Sequence, residues 1–378
     1  DLSRSAHPID QDAAVAKAWG QTAWADYSGV SRLLTEMSMA EARQIERVLQ
    51  QVSQPLIDRE VMLAIQQAGE LVYDGDLTGR KVSNTSRTYP GADYGYMGED
   101  KIGLGYQAAL VSLESPKSGR IWLSAVQHPG NTLSCTQAEA LVLAAEARTG
   151  LYPQRRVDLL RQRFDSLSMA LQLREERLCQ AEQRLAQAQT DLHHVEEELH
   201  ICQQDLAKLE AKYPTRQPSE HPRGYLGQAN SKLTVYHDRL ARKQKRLEQA
   251  QRACQTQKNL LEADRSEQRL LQERVQRFER DNAAISYPIR AVFRLDGGFG
   301  TVENLALLIE MGYEVYTKPH NHKVTQALRS KVQETTAWTR VGANAEMVAW
   351  PDLKLKSCPY PLDVALERFY TGKTLKHS

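Results

Sequence analysis

The feature that most constrains this chain is a pair of long heptad repeats at its centre. Leucines recur every seven residues from Leu171 to Leu206, and further apolar residues follow three positions later, from Ala181 to Leu209. A second series with the same period runs from Leu233 to Val275. Apolar residues at the a and d positions of a heptad predict long helices that pair along a seam.

A break rich in proline separates the two series, and it contains Pro214, Pro218, Pro222 and Gly224. These residues end a helix. Two arms of similar length around one break predict an antiparallel coiled-coil hairpin over residues 151–285. Each arm would be about 80 Å long at the rise of an α-helix. An intermolecular coiled coil is the alternative.

Basic residues collect on both sides of this break. They predict either a hairpin tip that contacts phosphates or an ordinary solvated face of the two helices. The residues are Arg216, Arg223, Lys232, Arg239, Arg242, Lys243, Lys245 and Arg246.

Composition excludes few classes of protein. The chain has 378 residues, enough for two or three domains, and a net charge of +2, which gives no argument for nucleic acid by itself. Its five cysteines form no C-x-x-C pair, which argues against a zinc site or a disulfide framework. Cysteines without a disulfide framework indicate a reducing compartment, so we expect a cytoplasmic protein. Neither a membrane span nor a signal peptide is visible, so we expect no membrane partner.

Residues 1–68 are expected to form an N-terminal helical domain, with DNA binding as one candidate role. Ser38 followed by Glu41 predicts a capping box at a helix start. The Gly-containing stretch Asp26–Arg32 predicts a turn between two helices, which is compatible with a helix-turn-helix motif. A small helical bundle without that function is the alternative.

Residues 69–150 change to a strand pattern. Leu71–Tyr73 is a short apolar strand that ends in acids, and Gly103–Leu113 with Arg120–Val126 predicts an antiparallel β-hairpin. Thr136–Thr149 then predicts a helix closed by Gly150. This segment is the first part of an α/β core.

Residues 286–378 return to a globular pattern after the heptads. We predict a strand over Ala291–Leu295, a tight loop over Asp296–Gly300, a helix over Thr301–Met311 and a strand over Tyr313–Thr317. Residues 337–370 are expected to be short strands with turns. His320 and His322 are interpreted as loop residues.

Acidic residues at two strand ends are the candidate chemical groups. Asp74 and Asp76 follow the strand at residues 71–73, and Asp296 follows the strand at residues 291–295, with glycines behind it. Carboxylate oxygens held at a sheet edge are suitable ligands for hard cations such as Mg²⁺. Together they indicate a metal site split by the heptad insertion, although a surface turn explains Asp74–Asp76 equally well.

These segments resemble the motifs of a known family. Val292–Gly300, followed by Glu303-Asn304-Leu305, resembles the second-aspartate motif of bacterial insertion-sequence DDE transposases, with an arginine, an apolar residue, the aspartate, a small residue and then Gly-Phe. Asp76-Leu77-Thr78 resembles their first-aspartate motif, and Trp24–Arg32 resembles their N-terminal helical segment. The resemblance covers residues 10–135 and 288–370.

The resemblance implies a ribonuclease H-like mixed sheet in which Asp76 and Asp296 are catalytic residues and metal ligands. It implies two Mg²⁺ ions, which Mn²⁺ can replace. Strand alternation points Asp74 to the same side as Asp76, so Asp74 is a candidate alternative ligand or a residue that supports the ligands from behind. One ion would activate water or a DNA 3′-hydroxyl, and the other would stabilise the leaving oxygen. The implied activity is strand cleavage and strand transfer on double-stranded DNA, at transposon ends and target, by a homo-oligomer near the bacterial nucleoid.

The chain departs from the family pattern at the third carboxylate. The family's glutamate lies on a late helix in a context like Tyr-x-x-Arg-x-x-x-Glu, and no such spacing follows residue 318. The late acids are Glu334, Glu346 and Glu367, and Glu367 falls in an expected strand. We therefore expect residues 286–378 to be an incomplete second part of the core with a β-rich insertion. Enzymatic activity stays open, and a catalytically inactive remnant that binds DNA is the alternative.

Two further classes compete with this interpretation. Asp74-x-Asp76-x-Thr78 also matches haloacid-dehalogenase phosphatases, with Asp74 as nucleophile and Asp76 as acid/base, but the expected antiparallel hairpin disfavours that fold. A structural coiled-coil ATPase would need a P-loop, and Gly372-Lys373-Thr374 lacks the required upstream glycine.

For a DNA substrate, the basic residues best placed to hold the DNA backbone are Arg80, Lys81 and Arg87, beside the first aspartate.

Overall fold

The computed structural model describes residues 17, 20, 27–83, 89–98, 102–355, 358–371 and 374–377. Helix α1 spans Tyr27–Glu36 and helix α2 spans Met39–Ala68. The capping box at the start of α2 is confirmed, because the Ser38 hydroxyl accepts from the Glu41 backbone N–H while the Glu41 carboxylate accepts from the Ser38 N–H at 2.7 Å.

The predicted turn over residues 26–32 is wrong for residues 27–32, which form the first half of α1. Asp26 lies outside the described residues. The chain breaks instead at Met37 and Ser38, where the capping residue competes with the helix for backbone hydrogen bonds. Gly29 is tolerated inside the helix, so its presence alone did not mark a turn.

A six-stranded mixed sheet forms the centre of the molecule, which confirms an α/β class. Its strand order is β2-β3-β1-β5-β6, and β4 also pairs with β3. β3 is antiparallel to β1, β2 and β4, whereas β5 is parallel to both β1 and β6. The strands are β1 (Glu70–Lys81), β2 (Asp93–Tyr96), β3 (Ile102–Ser115), β4 (Gly119–Pro129), β5 (Arg290–Leu295) and β6 (Glu314–Thr317).

Strand β1 is much longer than the three residues predicted for it. Burial alternates from Leu71 through Gly75, and the ladder with β3 continues to Lys81. Asp74 and Asp76 therefore lie inside a strand, and the surface-turn alternative for them is wrong. Asp and Gly are poor strand formers, but pairing on both sides of β1 outweighs that local preference.

The core lies on one face of the sheet. Helix α2 contributes Ile57, Val61 and Ala64, and helix α3 (Ala138–Thr149) contributes Leu141 and Val142. Each of these side chains is at most 3% exposed. The C-terminal half of α2 therefore packs against the sheet. Gly150 ends α3 in the left-handed conformation, as the sequence predicted.

Two long helices leave and rejoin this core. Helix α4 spans Val157–Lys212 and helix α5 spans Tyr225–Ala284, and they pack against each other as a pair within one chain. Ion pairs join Arg265 to Glu175 at 2.7 Å and Lys258 to Glu182 at 3.2 Å. The sequence order is reversed between the two partners, so the helices run antiparallel. We call α4, α5 and the connecting residues 213–224 the helix pair.

Ionic contacts with the core hold the ends of α4 and α5 that lie nearest to it. We call these ends the roots of the helix pair. Arg155, just before α4, donates two hydrogen bonds to the Glu146 carboxylate of α3 at 2.7 and 2.8 Å and one to Asp281 of α5 at 3.1 Å. Glu310 is fully buried and accepts from Arg163 of α4 and Arg274 of α5, each at 3.0 Å. Both arms are thus tied to the core by charged groups that water does not reach freely.

Helix α6 (Val302–Glu310) follows β5 and packs its Leu307 and Leu308 into the same core. The predicted helix and strand at residues 301–317 are confirmed. Helix α7 (His322–Arg329) was not predicted, and the interpretation of His322 as a loop residue is wrong. The Asn321 side chain accepts from the Lys323 N–H at 2.9 Å, a capping signal that the sequence contained.

A second, antiparallel sheet follows, in the order β10-β9-β8-β7. This confirms the short strands expected over residues 337–370, with Glu367 in one of them. The strands are β7 (Thr339–Arg340), β8 (Ala345–Leu353), β9 (Leu362–Thr371) and β10 (Thr374–His377). Within the described part of the chain, none of the helices has the length and apolar character needed to cross a membrane.

Candidate functional site

The parallel pairing of β1 with β5 brings the two predicted acids together. The last registered partners are Gly75 and Leu295, and Asp76 and Asp296 are the next residue on each strand. Adjacent strands lie about 4.8 Å apart, so the two backbones leave the ladder side by side. Acids that are 220 positions apart in the sequence are neighbours in the fold.

Both carboxylates lie on the face of the sheet opposite the core. Tyr73 and Phe293 point into the core and are fully buried, whereas Asp76 and Asp296 are exposed. Side chains alternate along a strand, so Asp74 shares the face of Asp76, and Arg294 shares the face of Asp296. We call the surface formed by these four side chains the acid face.

Asp76 has one partner among the described residues. The Thr78 hydroxyl, two residues further along β1, donates to Asp76 Oδ2 at 2.6 Å. That contact orients the carboxylate along the strand. It leaves Oδ1 without a hydrogen bond in the described part of the chain, so an oxygen remains to bind an external group.

Several hydrogen bonds hold the loop that contains Asp296. Asp296 Oδ1 accepts from the Gly298 N–H at 2.9 Å, and the Asp296 carbonyl accepts from the Thr317 hydroxyl at 2.8 Å. The buried Asn304 side chain donates to the carbonyls of Phe299 and Cys135, each at 3.0 Å. The carboxylate is therefore positioned by the backbone of its own loop and by β6.

Asp74, predicted as an alternative ligand, is held in ion pairs. Arg294 Nε and Nη2 donate to its two oxygens at 2.7 and 2.9 Å, and Arg120 Nη2 donates at 3.2 Å. Arg294 also pairs with Glu114 of β3. Hydrogen bonding to Asp74 raises the pKa of Arg294, so this guanidinium stays charged.

Sequence reasoning did not find the roles of Arg120 and Glu114. Both follow from the β3–β4 register, which pairs Glu114 with Arg120 across the hairpin. In the sequence, Arg294 is marked only as part of the motif around Asp296. Its alternation with Asp296 on one strand was the available signal for a shared face.

An aromatic cluster supports the site from the core side. The rings of Tyr73 and Phe293 stack at 5.3 Å, and Tyr313 meets Phe293 edge-on at 5.5 Å. The Tyr313 hydroxyl donates to Glu146 at 2.7 Å, and burial raises the pKa of Tyr313 well above its ordinary value. These contacts fix β1 relative to β5 beneath the two acids.

The remaining predicted residues lie apart from this pair or outside the described chain. Arg80 is exposed and shares the face of Asp76 by strand alternation, whereas Arg87, Gly372 and Lys373 are outside the described residues. Lys243 pairs with Asp191 across the helix pair, and the Arg239 guanidinium lies 5.2 Å from the Tyr236 ring. Glu346 pairs with Arg368 inside the second sheet.

The donor set suits a hard cation but is incomplete. Two exposed carboxylates on neighbouring strands are the kind of oxygen ligands that Mg²⁺ takes from proteins, with water completing its shell. Over the described ranges, no group of three or more His, Cys, Asp or Glu side chains is close enough to hold a metal ion. Among the described residues, the acid face presents two exposed carboxylates, Asp76 and Asp296.

Comparison of the chain with protein-family models, with curated proteins and with solved structures found no match. The geometry of the acid face consequently carries the functional argument.

Proposed function

We propose that this chain is a DNA transposase that acts by Mg²⁺-dependent phosphoryl transfer, in strand cleavage and strand transfer at transposon ends. The observation that carries the proposal is the β1–β5 register, which makes Asp76 and Asp296 neighbours. Those residues carry the two motifs that resemble insertion-sequence transposases. The implied substrate is double-stranded DNA, and a homo-oligomer assembled on that DNA is the implied active form.

The finer description of the fold is part of this proposal. We propose a ribonuclease H-like core, with the helix pair as a coiled-coil hairpin inserted after α3. Support comes from the order of β4, β3, β1, β5 and β6, in which an antiparallel trio is followed by two strands parallel to β1. The seam residues Leu171, Val195, Leu199 and Leu261 are buried between α4 and α5.

Asp76 and Asp296 would hold the cation through their exposed carboxylates. Bound Mg²⁺ supplies Lewis-acid assistance to the displacement at phosphorus. The protein residues contribute position. Thr78 and the Gly298 N–H orient the two acids, and Arg80 is available on the same face for a DNA phosphate.

One observation favours the alternative of a catalytically inactive protein that binds DNA. The resemblance implies three carboxylates, and the described residues bring only two together. A chain with two ligands can still hold a cation and DNA while cutting slowly or not at all. Cation binding and DNA cleavage therefore need separate measurements.

The other two classes gain no support. A haloacid-dehalogenase reaction needs Asp74 as a free nucleophile, and here two arginines pair with it. A purely structural role for the helix pair does not account for the two exposed acids at the β1–β5 junction.

The first test measures Mn²⁺ binding by electron paramagnetic resonance, with Mn²⁺ as a probe for Mg²⁺. We expect Asp76→Asn and Asp296→Asn each to weaken binding at least tenfold, because each removes one of two anionic ligands. Asp165→Asn is the matched control, since Asp165 is an exposed aspartate on α4. Wild-type affinity in both site variants would contradict the proposal.

A second measurement separates the enzyme from the inactive binder. Supercoiled plasmid is incubated with the protein and Mg²⁺, and nicked circles are quantified by electrophoresis. Nicking that is lost in both site variants and kept in Asp165→Asn supports the transposase. DNA retention without nicking, in a chain that binds Mn²⁺, supports the inactive protein.

A further inference from the structure

The ion pairs behind the two acids form a continuous network across four strands. From the β5 side, Arg294 pairs with Asp74 of β1 and Glu114 of β3, and Arg120 of β4 pairs with Asp74. Asp74 and Arg294 are also direct partners in the β1–β5 register. The Asp74 side chain is 20% exposed, so the pair is partly shielded from water.

Asp74 lies one alternation step behind Asp76. Two residues along a strand span about 7 Å, which is within reach of a cation bound beside Asp76. Without its arginines, Asp74 would add a third negative charge to the acid face and compete for the cation. Its pairing with Arg294 removes both its charge and its oxygens from that competition.

We propose that Arg294 is a positioning residue that withholds Asp74 from the cation site, so that only Asp76 and Asp296 are presented as ligands. This inference rests on the proposed function. Arg294 is the main holder because it makes two hydrogen bonds of 2.7 and 2.9 Å, whereas Arg120 makes one of 3.2 Å. Bidentate pairs of this kind are the strong, directional ones.

Loss of Arg294 is expected to increase the affinity for Mn²⁺, whereas loss of a supporting residue usually decreases affinity. Removing a positive charge about 7 Å from a divalent cation, and freeing a carboxylate, should tighten Mn²⁺ binding about tenfold in Arg294→Ala. A residue that merely holds the β1–β5 register would give weaker binding when it is lost. The direction of the change therefore separates positioning of Asp74 from general structural support.

A double-mutant cycle tests the route of the effect. Asp74→Asn alone should not tighten Mn²⁺ binding, because Arg294 keeps its positive charge. Arg294→Ala combined with Asp74→Asn should return the affinity to about the wild-type value, because one charge of each sign is then removed. Arg290→Ala is the matched control, because Arg290 lies on the same strand and pairs with Glu70 and Glu314 instead. It removes the same charge further from the acids and should change affinity little.

Each result decides the inference. Tighter binding in Arg294→Ala that the Asp74→Asn change reverses supports it. Unchanged or weaker binding in Arg294→Ala overturns it, as does tighter binding that persists in the double variant. If Arg294→Ala does not fold by circular dichroism, Arg294→Gln replaces it, and the same increase is expected because the charge is lost.

The proposed function and this inference fail in different ways. Loss of Mn²⁺ binding in Asp76→Asn with no gain in Arg294→Ala defeats the inference alone. Absence of Mn²⁺ binding in the wild type and in all variants defeats both. Binding that appears only in Arg294→Ala and disappears in the double variant supports the withholding role even where the wild-type site is weak.

Discussion

Two glycines in the Asp296 loop differ in the room around them. A Cβ at Gly300 would lie 1.9 Å from the Lys318 carbonyl oxygen, a backbone atom that cannot move aside alone. A Cβ at Gly297 would have its nearest contact at 3.5 Å, an ordinary van der Waals distance. The close approach of the loop to Lys318 therefore requires a glycine at position 300 but not at position 297.

We predict that Gly300→Ala destabilises the protein by about 1–3 kcal/mol, the usual range for overpacking, and weakens Mn²⁺ binding by displacing Asp296. Gly297→Ala is the control in the same loop and should change both quantities little. Urea denaturation and Mn²⁺ titration measure the two effects. Equal behaviour of the two variants would show that the loop is not constrained by the Lys318 carbonyl.

Among the elements, the helix pair is held by charges as well as by its apolar seam. Asp191 of α4 pairs with Lys243 of α5, and the hydrogen bond from Lys243 lowers the pKa of Asp191. A carboxyl with a lowered pKa in the folded state stabilises that state above its ordinary pKa. The contribution is lost as the pH falls through the folded-state value.

Asp191→Asn is therefore predicted to melt at a lower temperature than the wild type at pH 7, and the difference should vanish near pH 2. Helix content followed by circular dichroism during heating measures it. Asp205→Asn is the control, because the ion pair that the described residues give Asp205 is with Lys208 of its own helix. A gap that persists unchanged in acid would mean that the Asp191–Lys243 pair does not contribute.

The elements differ in how far the sequence predicted them. The heptad period predicted both long helices, since a repeat sustained over many turns has few other solutions. The length of β1 was missed because Asp74, Gly75 and Asp76 are poor strand formers, and their pairing partners come from distant segments. Helix α7 was missed because eight residues give too short a pattern.

The candidate site could be predicted in part, because its residues lie in local motifs but its contacts come from distant segments. Asp76 and Asp296 could be identified from local motifs, but their adjacency depends on parallel pairing across the inserted helix pair. The ion pairs of Asp74 with Arg294 and Arg120 could be predicted only if the pairing of β1 with β5, of β1 with β3 and of β3 with β4 were all known. Contacts between segments that are distant in the sequence produce no local sequence pattern from which they could be predicted.

Considered as a whole, the molecule should tolerate loss of most of the helix pair. The root contacts of Arg155, Arg163, Arg274 and Asp281 lie near the core, whereas the cross-helix ion pairs Lys258–Glu182 and Lys243–Asp191 lie within residues 176–263. Replacing residues 176–263 by a short glycine-rich turn keeps the pairing of Arg174 with Asp264. We predict that the shortened chain folds and keeps its Mn²⁺ affinity.

A deeper deletion is the control for that prediction. Removing residues 160–277 takes away Arg163 and Arg274, which leaves the buried Glu310 carboxylate with the Tyr360 hydroxyl as its side-chain partner among the described residues. Loss of the ion-pair partners of Glu310 should cost about 3 kcal/mol, and loss of the buried core residues Leu160 and Leu271 adds to that cost. Calorimetry distinguishes the two chains, and equal stability would mean that the roots do not anchor the core.

Because the helix pair is held at its roots, a small tilt there would move its far end over a much larger distance. At 1.5 Å per residue, an arm of 56 residues reaches about 84 Å from its base. A tilt of about 5° at the Glu310 and Arg155 contacts would swing the far end through about 7 Å, two base-pair steps of a duplex. Small rearrangements at these two contacts would thus produce much larger displacements at the far end of the helix pair.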